Sequence, residues 1–182
     1  MVPAGAVRVV PGHSYGWLLG HLQVSADNST AVDAVGPPVA RPGRRARSSV
    51  TAMATLEDVE RLVAALPETE QTTRHGNRTW AVGGKAYAWE RPFSKADLRR
   101  FGDETPPDGP ILAIRVEDLA EKEAILAARA ADGFFTIPHF DNYAAVLIEL
   151  DKVSEPVLRE ALADGWLVFA PPQLAKAHLD SE

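Results

Sequence analysis

No cysteine occurs among the 182 residues. That excludes disulfides, thiolate metal centres and cysteine nucleophiles together, and it removes any need for an oxidising compartment. Long hydrophobic runs are missing too, so no stretch approaches the roughly 20 apolar residues that span a bilayer. There is no Gly-x-Ser-x-Gly elbow, no phosphate-cradling loop and no dinucleotide fingerprint. The composition that remains is 46% apolar and 24% charged, as in soluble globular proteins. The length suits one domain, or a small domain with a tail, and the expected location is the cytoplasm.

Charge is unevenly spread. Residues 1–52 hold five arginines (Arg8, Arg41, Arg44, Arg45, Arg47) against Asp27 and Asp33, a balance of +3. The other 130 residues hold 14 basic and 23 acidic side chains, a balance of -9. Gly36-Pro37-Pro38 and Pro42-Gly43 break any periodicity in the first part. Arg8, Pro11 and His13 interrupt its apolar stretch, which is unlike a secretory signal, while Arg44 to Ser49 has some transit-peptide character. The expectation is a disordered extension over 1–52, followed by a domain that opens at Met53.

Within 53–182 the pattern is regular. Thr55 and Asp58 form a capping-box pattern before Leu56, Val59, Leu62, Val63 and Leu66, which share one helical face. Two short strands around Gly83-Gly84 predict a hairpin, with Trp80 and Val82 on one face and Tyr87 and Trp89 alternating on the return strand. Ser94 and Asp97 cap a short helix that Gly102 ends. Residues 111–116 read as a strand, and 117–130 as a helix with Leu119, Ile125 and Leu126 inward. Residues 133–136 predict a short strand and 143–150 a strong one, with Glu149 outward. Ser154 caps a helix that Gly165 terminates, and Pro171-Pro172 opens a last one. The predicted class is α+β, a largely antiparallel sheet with helices packed on one face.

Several pieces in this order and spacing resemble the MmcQ/YjbR family: Leu66-Pro67-Glu68, the segment Trp80 to Lys85, the strand Ile111 to Val116, the block Pro138 to Tyr143, and Trp166 with Ala170-Pro171. The resemblance runs from about Leu56 to His178. It implies a frataxin-like α/β sandwich, also described as double-wing, and a DNA-binding role. Members often carry a basic Asn-Lys-Arg-His-Trp-like block where this chain has Thr136-Ile137-Pro138-His139-Phe140, keeping only the histidine.

The residues themselves offer two functional readings. Arg74, Arg78, Arg91, Lys95, Arg99 and Arg100 form a local basic cluster that can contact phosphates, with Trp80, Tyr87 and Trp89 as stacking surfaces. Against this, a domain at -9 repels a polyanion, and charges on short helices are usually solvated faces. The alternative is a small-molecule- or protein-binding module whose aromatic pocket is lined by His139, Tyr143 and Trp166. Glu117, Asp118, Glu121 and Glu123 make an acidic patch like the ridge on which frataxin-like proteins handle iron. No residues show metal-ligand spacing, so no metal or cofactor is predicted. Ser94 and Ser154 read as helix caps, and no catalysis is expected.

Overall fold

The structure is a computed structural model and describes residues 53–181. The predicted extension over 1–52 lies outside the described residues. Helix α1 (Leu56–Val63) opens on the expected capping box. The Thr55 hydroxyl accepts from the Asp58 amide at 3.2 Å, and the Asp58 carboxylate accepts from the Thr55 amide at 3.0 Å. A cap of this kind stabilises a helix by about 1 kcal/mol. Val59, Leu62 and Val63 are buried.

Six strands follow in one antiparallel sheet: β1 (Glu70–Arg74), β2 (Asn77–Val82), β3 (Lys85–Glu90), β4 (Ile111–Arg115), β5 (Phe134–Phe135) and β6 (Ala145–Glu149). Their spatial order is β1-β2-β3-β4-β6-β5. Gly83 and Gly84 both take positive φ, 55° and 74°, so the β2–β3 turn uses the freedom of its glycines. Strand β1 falls in the polar stretch where no strand was expected. All five of its residues are exposed, so it adds to the edge by backbone pairing and leaves no apolar alternation.

The remaining helices are α2 (Lys95–Arg100), α3 (Leu119–Arg129), α4 (Glu155–Leu167) and α5 (Pro172–Leu179). The apolar side chains of α1, α3 and α4 pack on one sheet face with Trp80, Val82, Tyr87, Leu112, Ile114, Val146 and Ile148. That agrees with the expected α+β class. The other face is covered as well. Ile111, Ala113, Ala145 and Leu147 pack there with Ile137 and Phe140, joined by Trp89, Phe93, Phe101 and Phe135. Glu149, expected outward, points to this second layer. It is 9% exposed and paired with Lys152 at 2.8 Å.

Four further expectations are corrected. Tyr87 and Trp89 do not share a face. Trp80 pairs with Ala88 while Ala81 pairs with Ala86, so Tyr87 is an extra residue in β3. This bulge puts Tyr87 in the helix-side core and Trp89 in the opposite layer. Leu119 is exposed rather than inward, and Lys122 takes the buried position on α3. Its ammonium donates to the Phe140 carbonyl, with the Tyr143 carbonyl at 3.4 Å. Gly165 does not end α4, which runs on to Leu167. A Cβ at Gly165 would lie 2.5 Å from Ile114 Cγ2 and 3.3 Å from the Arg115 carbonyl, so glycine lets the helix lie close on the sheet. Ser154 sits at the N-cap of α4, but its hydroxyl makes no capping hydrogen bond. Among the described residues, no helix is long and apolar enough to cross a membrane.

Two predictions follow from this packing. Gly165→Ala is expected to destabilise the fold by about 1–3 kcal/mol, the usual cost of overpacking. Alanine is the better helix former by roughly 1 kcal/mol, so a raised denaturation midpoint would refute the close approach. The second concerns Asp164 on α4, whose carboxyl is pushed up to about 7 by burial and then by Glu121 and Glu160. A pKa raised on folding stabilises at low pH, and that stability is lost as pH rises from the ordinary value of 3.8 to about 7. Asp164→Asn should therefore gain stability over the parent in melts at pH 8 and gain little at pH 4. An equal difference at both would show that folding does not hold this proton.

Candidate binding cleft

A cleft of about 610 Å³ opens on the sheet face opposite the long helices. Strands β1, β2 and β3 supply Arg74, Asn77, Thr79, Ala86, Trp89 and Glu90. Ser94, Ala96, Asp97 and Arg100 come from α2 and its cap, with Arg91 and Pro92 just before. His139 and Tyr143 come from the loop preceding β6.

The β1–β2 turn sets one end of the cleft. Arg74 pairs with Asn77 across a two-residue turn of His75 and Gly76. Both turn residues have positive φ, 51° and 82°. That is the type I′ requirement for a two-residue hairpin, and histidine is among the side chains that tolerate it. The turn places Arg74 and His75 at the rim.

The α2 wall is built around Asp97, which is only 3% exposed. Its carboxylate accepts from the Ser94 amide at 2.9 Å, the Ser94 hydroxyl at 2.7 Å and Arg91 Nη2 at 2.9 Å. Arg100 lies 3.7 Å away on its other side. Burial alone raises this carboxyl, but the Ser94 hydrogen bonds and the Arg91 guanidinium outweigh it and bring it down to about 2. A second network engages Glu90. Arg78 joins Glu90 at 2.8 Å and Glu60 at 2.6 Å, and its amide donates to Glu90 at 2.7 Å. Burial raises the Glu90 carboxyl, and Arg78 more than reverses that.

Aromatic rings make up the rest. Trp89 stacks on Phe140 with centroids 6.4 Å apart and meets Tyr143 edge-on at 6.2 Å. Tyr143 in turn has the Arg115 guanidinium 4.5 Å from its ring centroid. Arg91 lies 5.6 Å from the Phe140 ring.

The cleft gathers residues from both functional expectations. Arg74, Arg91 and Arg100 of the basic cluster meet His139 and Tyr143 of the aromatic pocket. Arg78 is held behind Glu90 by its ion pairs. Lys95 and Arg99 are exposed on α2 and do not line the cleft. Trp166 is placed elsewhere. It is fully buried in the helix-side core, and its Nε1 donates to the Pro67 carbonyl at 3.0 Å. Trp80 and Tyr87 are also fully buried there, so of the three proposed stacking surfaces only Trp89 reaches the cleft. The sequence reading missed Glu90 and Asp97 as wall residues. The Ser94–Asp97 capping pattern was visible, but its partner Arg91 lies six residues away and carries no periodic signal.

Among the described residues, no group of three or more histidine or acidic side chains is placed to hold a metal ion. The acidic patch on α3 serves the helix start: Asp118 accepts from the Glu121 amide at 2.8 Å, and Glu121 accepts from the Glu117 amide.

Uncharacterized proteins of Mycobacterium tuberculosis (Rv2570) and Mycobacterium bovis (Mb2600) are each 44% identical over 130 residues, covering 70% of this chain and 97% of theirs. A crystal structure of the Deinococcus radiodurans protein DR2400, with domain DUF419, aligns over 71% of this chain and 88% of that chain, at 20% identity and a TM-score of 0.47. The family model described as YjbR matches residues 64–168, more than half of the chain, and with the mycobacterial identities this shows that the chain belongs to the YjbR family.

Proposed function

We propose that this protein is a binding protein without chemistry of its own, and that its cleft takes a small organic ligand. The observation that carries this is the convergence of Arg74, Arg100, His139, Trp89 and Tyr143 on one concavity of about 610 Å³. Small-ligand sites are typically about 300–1,000 Å³, largely apolar, with a few placed polar groups. The walls are preorganised, because Asp97 and Glu90 are already engaged by protein donors. The two aliphatic hydroxyls of the lining are also committed: Ser94 to Asp97 at 2.7 Å and Thr79 to the Asn77 carbonyl at 3.4 Å. Neither is poised as a nucleophile, which favours binding over catalysis.

A second reading, DNA binding, is favoured by a different observation. Arg74, Lys95 and Arg99 are exposed, and none of them enters an ion pair among the described residues. Such cations are free to meet phosphates. The -9 balance of residues 53–182 works against a duplex at long range.

Thermal melts of the full chain across a library of small organic compounds test the first reading, with DNA anisotropy at low and physiological salt beside them. A ligand at a hundredfold excess over its Kd stabilises by about 2.7 kcal/mol, a shift of several degrees. Hits are expected, and Ala86→Phe, which fills the cleft, is expected to abolish them. No stabilising compound, together with DNA binding that survives Ala86→Phe and fails in Lys95→Ala/Arg99→Ala, would overturn the cleft in favour of the exposed cations.

A further inference from the structure

The cleft's charge and rings narrow the ligand class. Three guanidiniums (Arg74, Arg91, Arg100) face two carboxylates (Glu90, Asp97), so the lining stands at +1 with its histidines neutral. This positive site sits in a domain at -9. The surplus is localised. Arg91 is spent on Asp97 and on the Pro92 carbonyl at 2.6 Å. Glu90 is spent on Arg78. Arg100 is only loosely paired, at 3.7 Å with half its side chain exposed, and Arg74 enters no ion pair among the described residues. Two guanidiniums therefore keep donors for a ligand, and a planar fork of donors suits a carboxylate or phosphate.

Trp89 and Tyr143 line the same cleft, held by Phe140 and Arg115. Small residues, Thr79, Ala86 and Ala96, line the space near them. Flat aromatic surface next to small side chains suits a planar ring, since aromatic pairs gain beyond their buried area.

We propose that the cleft binds a planar aromatic ring joined to an anionic group, with the ring against Trp89 and the anion on Arg74 and Arg100. The proposal rests on the small-ligand reading above. An aryl carboxylate and a nucleoside monophosphate both carry this chemistry. The acid supplies affinity and orientation through charge-assisted hydrogen bonds, and the ring supplies apolar burial. Glu90 does not compete for these donors, because Arg78 holds it, and Asp97, bonded through its other oxygen to Ser94 and Arg91, meets Arg100 only at 3.7 Å.

Calorimetric titration of the full chain with 2-naphthoate and with its neutral isostere 2-naphthamide tests this, with adenosine monophosphate as a third arm. The indole N–H resonance of Trp89, assigned through Trp89→Phe, reports whether a compound enters the cleft. Naphthoate is expected to bind at least tenfold more tightly than the amide, in line with a charge-assisted hydrogen bond. The exposed-site double variant Arg74→Gln/Arg100→Gln is expected to erase that difference and leave the amide unchanged. Tighter binding by adenosine monophosphate than by naphthoate, lost in the same variant, would assign the ring and anion to a nucleotide; the reverse order would assign them to an aryl acid. Equal affinities for acid and amide, both moving the Trp89 resonance, would overturn the anion while leaving the cleft a ligand site. No movement of that resonance by any of the three would overturn the small-ligand reading as well.

Discussion

One extra residue in β3 decides which aromatic side chains build the core and which face the cleft. Without the bulge at Tyr87, strict alternation would put Tyr87 and Trp89 on the same side of the sheet. With it, Tyr87 joins Trp80 beneath the helices, where its hydroxyl meets Thr69 at 3.2 Å and burial pushes its pKa up to about 12. Trp89 turns the other way, onto Phe140 and Tyr143. The cleft and the core are thus made from one hairpin, and a deletion within β3 would reassign both.

Electrostatics then works in layers. The two acids that line the cleft, Glu90 and Asp97, each accept from an arginine and from a backbone amide. Asp97 does three tasks with one carboxylate: it caps α2, fixes Arg91 and draws Arg100 toward the wall. Buried ion pairs of this kind add little net stability, since desolvation cancels much of the attraction. What they contribute is position. A long arginine side chain that would otherwise sample many rotamers is fixed on one line, and the ordering entropy is spent on folding before any ligand arrives.

The parts of the structure that could be read from the sequence are those with local signals. The capping boxes at Thr55–Asp58 and Ser94–Asp97 and the Gly83-Gly84 turn each sit within four residues. Strands β4 and β6 showed as apolar runs because both of their faces are covered. The parts that could not be read depend on distant partners. Strand β1 is a polar edge held by backbone bonds, so side-chain pattern is silent there. Gly165 looks like a helix terminator until Ile114 is placed against it. Trp166 and Tyr143 were equally plausible pocket residues by type. Only the sheet's two-sided packing separates them, sending the first to the interior and leaving the second 46% exposed.

Lys122 joins the two sides of the molecule. It belongs to a helix of the core layer, yet its ammonium ends on carbonyls of the loop that carries His139 and Tyr143. Burial lowers its pKa, and the carbonyls are its hydrogen-bond partners. Leaving that ammonium inside without those carbonyls would expose it to the full desolvation cost, so moving the loop away from α3 costs free energy. One ammonium thereby ties the loop that flanks the cleft to a helix of the core layer.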